Sequence, residues 1–428
     1  MTNNTVYLYT NFNSPRLSYI LNELFKRRLG LHVITILHLS QYQNSAPLLV
    51  YGNLPCFLPH IKLLNWNFLH KYNLETIPNN FTLHSNYKNL DVLTASFLQL
   101  SRYEEYLPSP LNKYGSYNPN NAQLAKYNLL QLPIVDIWIN DLANDLKILF
   151  PRVQYKYPIT NITLTYDIDI AFAYKGRSFA RTLGAMVKDV LHLNFKAIKE
   201  RIQVLKNKAK DPFDNFEKIF EASKYFNKCM LFFPAGKNNS RNRHLPITSK
   251  AIASLLKNIP TNITIGLHPT YNKKQSIKTL NTEKLNIALA AKKPINSSRQ
   301  HYLYTQMPLT FTNLINVGIL NDYTLGYNEI NGFRAGTCNS FYFFNVLTNE
   351  ATYLVLNPLI VMDAVYIYNQ NKTVEEALQE TIKLYELCKK NNGNFIINFH
   401  NNYLQPSHPW HSYYVQTLQY LSKTEYKF

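Results

Sequence analysis

Apolar positions along this chain recur in two rhythms. Short runs of alternating or continuous β-branched and aliphatic residues read as strands, and longer stretches with apolar residues three and four apart read as helices. In the first part, strands are predicted at 6–10, 33–37 and 47–51. Ser14 and Pro15 open a predicted helix over 15–29, because Pro suits the first helical turn. A second helix is predicted over 91–107, where Leu93, Phe97, Leu100, Tyr103 and Leu107 share a face. Residues 108–128, rich in Pro, Asn, Tyr and Gly, read as a long loop. A helix ending near 150 follows, and 151–158, bracketed by prolines, reads as a boundary. Beyond it, strands predicted at 162–166, 229–233, 263–267, 302–304, 353–356 and 395–399 alternate with helices predicted at 178–207, 213–227, 248–257, 281–292, 308–317, 373–391 and 409–422. Such alternation argues for a parallel sheet, open or closed into a barrel. The expectation is an α/β chain of two domains, a smaller one over 1–155 and a (β/α) domain over 156–428.

Composition narrows the function classes. The 428 residues suit two domains, and 46% hydrophobic residues suffice for sizeable cores. The formal net charge is +19, which favours an anionic partner. No zinc-finger spacing, phosphate-binding glycine loop, dinucleotide fingerprint or RNA-binding aromatic signature accompanies it, so no nucleic-acid partner is expected. The residues specify no oligomeric state. Cys56, Cys229, Cys338 and Cys388 have the spacing of neither a disulfide framework nor a zinc knuckle. The first residues lack the basic-then-apolar order of a signal peptide, and no run reaches the roughly 18 apolar residues of a spanning helix. A cytoplasmic protein is expected. Between Lys175 and Lys210, Leu183, Met186, Val190, Leu193 and Phe195 interleave with Lys and Arg. That pattern fits either a solvated face covering the barrel or peripheral contact with anionic membrane.

Candidate chemistry sits where strands should stop. Asp167-Ile168-Asp169 ends the run from Asn161, and paired carboxylates there can divide labour between a metal and a proton. An Asx turn or helix cap is the plainer alternative. His268 follows 264–267, His400 follows 395–399, His301 precedes 302–304, Asp363 ends an apolar run and Arg334 follows Gly332-Phe333. Active sites of alternating barrels form at the carboxyl ends of strands. One Asp with one or two His forms a zinc-type ligand set with an open position. A second Asp can take a proton from water, a distant His can protonate a leaving group, and an Arg near the base would hold it ionised. Glu104 and Glu105 read as a solvated face or an ion pair with Arg102.

The ordered motifs Thr165-Tyr-Asp-Ile-Asp169, Gly266-Leu-His-Pro-Thr-Tyr271, Gly332-Phe-Arg-Ala-Gly-Thr337, Met362-Asp363 and Ile397-Asn-Phe-His400 resemble those of the polysaccharide deacetylases, the NodB-homology or carbohydrate esterase family 4 group. The resemblance covers roughly 156–428 and is strongest to a two-domain subgroup of Bacteroidetes-type bacteria with an uncharacterised first domain. It implies a distorted (β/α) barrel. It implies Asp167 as catalytic base, Asp169 and His268 as metal ligands, Arg334 as the arginine paired with the base and His400 as general acid. A divalent metal, zinc foremost, is the implied cofactor. Three positions depart from the pattern: Ile168 separates the aspartates, Asn272 stands where a second metal histidine is expected, and Gly336-Thr337 replaces a Pro-Tyr pair. His301 is the candidate third ligand, with substrate contact or packing as its alternatives. Arg299, Tyr271 and Asp363 are the candidate substrate-binding residues. The leading expectation is a hydrolase of non-peptide carbon–nitrogen bonds or the equivalent esters, removing N- or O-acetyl groups from a cell-envelope or surface polysaccharide or its precursor. The alternatives are a non-catalytic descendant that binds a glycan or partner, and a metal-free glycosidase.

Overall fold

The computed structural model describes residues 4–43, 46–77, 81–239, 241–274 and 276–423. Residues 1–3, part of the amino-terminal stretch read above for a signal peptide, lie outside them. Short, nearly fully apolar strands can only be buried on both faces, which is the habit of parallel sheets. In the first part, β1 (Thr5–Tyr9) and β3 (Leu48–Tyr51) are such strands, and with the less buried β2 (His32–Ile36) and β4 (Ile61–Leu63) at the edges they form a wholly parallel sheet ordered β2-β1-β3-β4. Helix α1 (Pro15–Leu21) is capped by Ser14, whose hydroxyl accepts from the Leu17 amide at 3.1 Å. It continues as a wider π-helical stretch over Asn22–Arg27 rather than as one regular helix to 29. Helix α2 (Val92–Leu100) is buried along its whole length and stops well short of 107. Arg102 turns left-handed there, with φ 52°, and a 3₁₀ turn follows over Tyr103–Tyr106. Buried ion pairs from Arg102 to Glu104 and Glu105, both 2.9 Å, hold that turn. Neither glutamate faces solvent. Helices α3 (Gln123–Lys126) and α4 (Ile134–Leu149) complete this part.

The second sheet begins at β5 (Ile162–Asp167). The helices of this part begin with α5 (Phe179–Leu191), α6 (Phe195–Leu205) and α7 (Phe216–Ala222). β6 (Lys228–Phe233), α8 (Lys250–Asn258), β7 (Ile263–Leu267) and α9 (Ile277–Ala291) continue the expected alternation. Two-residue strands β8 (Ser297–Ser298) and β9 (Asn321–Asp322) flank α10 (Leu309–Asn316). β10 (Phe341–Asn345) and β11 (Glu350–Leu356) form an antiparallel hairpin on the outer edge. β12 (Val361–Met362), α11 (Asp363–Val365), α12 (Val374–Lys390), β13 (Phe395–His400) and α13 (His411–Ser422) finish the chain. The ladder runs β10-β11-β9-β8-β7-β6-β5-β13-β12, parallel apart from the hairpin. Irregular backbone closes it. The Leu359 amide bonds the Leu325 carbonyl, Gly332 bonds Ile360, and Ile360 bonds Ile396. The result is a distorted barrel with the antiparallel pair standing off its wall. The expected strand at 302–304 is instead a 3₁₀ turn, because Tyr302 and Leu303 are left-handed, with φ 57° and 47°. The expected helix at 178–207 is two helices. Among the described residues, no helix is long and apolar enough to cross a membrane.

Parallel register brings the strand ends level. His400 pairs with Asp167, Asp167 with Phe232, Phe233 with Leu267 and Leu267 with Ser298. The residues that follow each strand therefore emerge at one end of the barrel.

The two parts share a charged, buried seam. Arg334 grips Glu105 through Nε at 2.9 Å and a terminal nitrogen at 2.6 Å, and also donates to the Gly326 carbonyl and the Thr305 hydroxyl. Arg334, Arg102 and Glu105 are almost fully buried, with side-chain exposures of 1%, 1% and 3%. A second seam joins Asp136 to Arg28, Thr337 and the Cys338 amide.

Candidate metal centre

Alternation along β5 and β13 decides which side chains enter the barrel. Side chains two apart on a strand share a face. Thr165, Asp167 and Asp169 fall on one side, and Ile168 turns into the core at 1% exposure. The Ile168 amide still bonds the Phe232 carbonyl, so the strand pairing extends past Asp167. The inserted isoleucine thus puts both carboxylates into one cavity. On β13 the same rule sets Asn398 and His400 together.

Asp169, His268 and His301 offer three ligand atoms within 4.8 Å of one another. Asp169 Oδ1 lies 3.1 Å from His268 Nε2 and 3.6 Å from His301 Nε2. In a tetrahedral zinc site with bonds of about 2.0–2.1 Å, neighbouring ligand atoms stand roughly 3.3 Å apart. The tautomers fit as well. His268 Nδ1 is 2.6 Å from the Arg299 carbonyl, which can only accept, so that nitrogen carries the proton and Nε2 presents a lone pair. His301 Nδ1 is 2.9 Å from Asn242 Oδ1. That amide is fixed by two bonds to the Tyr271 backbone, its oxygen accepting and its nitrogen donating. Asp169 Oδ1 has no hydrogen-bond donor of good geometry although it is buried. Three acceptors facing one another could hold a cation. Burial alone would raise the Asp169 carboxyl. When His301 and His268 are protonated instead, their charge outweighs burial and holds it well below the usual carboxylate range, the service that a cation in the triangle would give.

Asp167 stands beside this triangle. Its oxygens accept from an Arg299 terminal nitrogen at 3.2 Å and from the Asn398 amide at 3.0 Å. Arg299 is fully buried, donates also to Thr165 and to the Tyr323 carbonyl, and lies over the Phe232 ring. The arginine beside the base position is therefore Arg299, not Arg334, whose guanidinium is spent on Glu105 at the domain seam. Nor is Arg299 free to bind substrate. Asp363, also a candidate substrate residue, instead holds His400: one oxygen meets Nδ1 at 2.6 Å and the other accepts the His400 amide at 2.8 Å. Burial would lower the His400 pKa, but Asp363, then Asp169 and Asp167, outweigh it and push it up to about 9. His400 Nε2 lies 4.0 Å from the second Asp169 oxygen. Tyr271 stands behind the site, where its backbone sets Asn242 and its hydroxyl donates to the Tyr114 carbonyl at 2.7 Å.

Asp167, Asp169, His268, His301 and His400 line one cavity of about 220 Å³. Its rim includes Tyr114, from the long loop of the first part. Asn112 pins that loop by accepting from the Tyr114 and Ser116 amides, Gly115 turns it at φ 86°, and Ser116 accepts from the Thr305 amide. Tyr114 stacks on Tyr302 at 4.9 Å, and Tyr302 stacks on His301 at 4.1 Å. The left-handed turn at Tyr302 makes this column possible. A second cavity of about 280 Å³, bordered by Arg241, Arg243 and His244, shares Asp169, His301 and Tyr302 with the first.

Asn398, Asn242, Thr165 and Tyr114 are given no role by the sequence, although Thr165 and Asn398 stand within its motifs. For Thr165 and Asn398 a signal existed: polar residues two before an aspartate and a histidine on otherwise apolar strands. For Asn242 and Tyr114 none did, because their partners are 59 residues away for Asn242 and in the other domain for Tyr114.

A family profile described as a family of unknown function (DUF7033) matches residues 6–151. No curated protein matches the chain. Among solved structures, the chain is similar to a candidate polysaccharide deacetylase from Mycobacterium smegmatis, at 12% identity and TM-score 0.40, over 63% of this chain and 87% of that one. It is similar to Puue allantoinase at 10% identity and TM-score 0.39, over 62% and 84%. A third likeness, to a polysaccharide deacetylase assigned in Pseudomonas aeruginosa PAO1, has 10% identity and TM-score 0.38, over 74% and 93%. At these values the chemistry of the site is read from its own residues.

Proposed function

We propose that this chain is a divalent-metal-dependent deacylase that hydrolyses acetyl amides or esters on a saccharide. The observation that carries the reading is the convergence of Asp169 Oδ1, His268 Nε2 and His301 Nε2, three acceptors whose tautomers are fixed from behind. Zinc suits an aspartate and two histidines with a position left open. A cation held there supplies Lewis-acid polarisation of an acyl carbonyl and a more acidic water. Asp167, kept ionised and oriented by Arg299 and Asn398, takes the proton of the attacking water. His400, protonated at neutral pH beside Asp363, gives its proton to the departing nitrogen or oxygen as the bond to the acyl carbon breaks. The products are acetate and the free amine or alcohol. The Tyr114–Tyr302 column at the rim suits a sugar ring, and Arg241 and Arg243 favour a substrate with an anionic group nearby. Four free thiols support a reducing, cytoplasmic setting, and a cell-envelope polysaccharide precursor is the substrate class we favour.

The test is acetate release. Purified protein loaded with zinc or cobalt and supplied with acetylated glucosamine oligosaccharides should release acetate, lose that activity to a chelator and regain it with metal. Fully loaded protein that releases no acetate from any acetylated saccharide sinks the proposal.

Two residue predictions follow from the same geometry. Asp363→Asn should lower kcat/KM by about 10²-fold or more, since an oriented general acid contributes about 10²–10⁴. The acid works protonated, so activity falls as pH rises through its pKa. Removing the Asp363 charge lowers that pKa, and the alkaline limb should move down by roughly 1–3 pH units. An unchanged limb would remove His400 from the acid role. Tyr114→Ala should raise KM about 3–10-fold with kcat nearly unchanged, the loss of one stacking contact of about 0.5–1.5 kcal/mol. An unaltered KM would mean that the ring does not touch substrate.

A further inference from the structure

The loop after β5 makes a long excursion before β6. Its base is pinned at both ends. The Asp211 carboxylate accepts from the Ala173, Tyr174 and Lys175 amides at 2.8–3.0 Å, and the Asn401 side chain bonds the Ile170 and Phe213 carbonyls beside β13. Between these pins, α5 and α6 form a hairpin closed by Arg201 on Asp189 at 2.6 Å. Helix α5 contributes no buried residue at all. Phe179, Leu183, Val187 and Val190 recur at helical spacing on one face and are 83%, 51%, 52% and 49% exposed. At the hairpin turn, Leu193 and Phe195 are 74% and 63% exposed. A helix that merely covered the barrel would bury such a stripe.

We infer that this hairpin docks the protein on an anionic membrane surface. The stripe stands in solvent along the whole of α5 and past the hairpin turn, which suits a plane better than a groove-bound segment, and its surroundings select the sign of the plane. Residues 175–210 carry ten Lys or Arg against two acidic side chains. Of these, Arg181, Lys188, Lys196 and Lys199 are exposed. An apolar stripe with a cationic opposite face lies in the headgroup layer of anionic lipid, each cation adding to the attraction. Because the hairpin grows from the strand that ends in Asp167 and Asp169, the docked surface and the catalytic cavity belong to one end of the barrel. The saccharide served is then lipid-borne, a consequence that rests on the deacylase reading; the docking itself does not.

Flotation tests it with the full chain. Protein mixed with vesicles of phosphatidylcholine and phosphatidylglycerol in equal parts should float, and protein with pure phosphatidylcholine should not. Phe179→Asp combined with Leu183→Asp and Val187→Asp should reduce flotation at least tenfold while leaving the thermal melt unchanged, since all three positions are exposed. Leu193→Trp should shift its emission to the blue on adding the anionic vesicles. Asp169→Ala should float like the parent, which separates this test from that of the metal site. Parent protein that stays at the bottom with the anionic vesicles overturns the inference, as does a triple variant that floats equally well. If the stripe serves a protein partner instead, the first of these outcomes is what appears.

Discussion

Asp169→Ala should leave the protein folded and empty. The carboxylate is partly exposed, at 30%, and its loss opens no cavity in the apolar core. What disappears is the only anionic corner of the ligand triangle. Two neutral imidazoles remain, each still held by the Arg299 carbonyl or Asn242, and such a pair retains a divalent ion poorly. Changes to the groups that hold a ligand from behind cost about 10–100-fold in metal affinity, so loss of a direct ligand should cost on the order of 10³ or more, with activity falling in parallel. Metal content by mass spectrometry after dialysis, read beside acetate release, checks both. His268→Ala should behave alike. Full metal occupancy in either variant would place the ion elsewhere and dissolve the argument from tautomers.

Arg334→Met should destabilise the whole chain by about 3–5 kcal/mol, because it strands Glu105 in the domain seam with only Arg102 to answer it. Burial pushes the Glu105 carboxyl up, but Arg334 and then Arg102 outweigh it and hold it below its ordinary value. A carboxylate lowered in the folded state stabilises above its unfolded pKa and loses that contribution as pH falls through the folded one. The parent seam should therefore weaken only in acid, and the variant should lose this acid sensitivity along with its stability. Denaturant midpoints across pH measure both effects. Adding Glu105→Gln should recover part of the loss, the signature of a coupled pair. If Arg334→Met instead abolished turnover at an unchanged midpoint, the arginine would belong to the chemistry after all.

The contrast between Arg334 and Arg299 shows what the sequence can carry. Asp167, Asp169, His268 and His400 were readable because each follows an apolar run at the end of a parallel strand, and such ends share one edge. His301 needed no strand at all; it stood in the right interval with a nitrogen to spare. The two arginines differ in the signals around them and in where their loops point. Arg299 follows a two-residue strand with no periodic signature. Arg334 lies in a segment whose order along the chain matched a known pattern while its direction in space was set by Glu105, far upstream. The alternation of strands and helices was legible from apolar spacing. The break after Leu100 was not, because buried charge, not periodicity, ends that helix. The left-handed turn at Tyr302 was hidden as well: its sequence is that of a strand, and the rings it stacks between come from His301 and from a loop of the first part.

The loop carrying Tyr114 also bears on how such proteins diverge. The mouth of the cavity is built jointly by two stretches of chain that lie on opposite sides of a domain boundary. Recombination at that boundary would bring together mouths that never met, and drift in one stretch constrains the other. On the deacylase reading, lineages that change sugar should therefore change 111–117 and 300–305 as a couple, and a barrel transplanted without its companion loop inherits the reaction but not the taste.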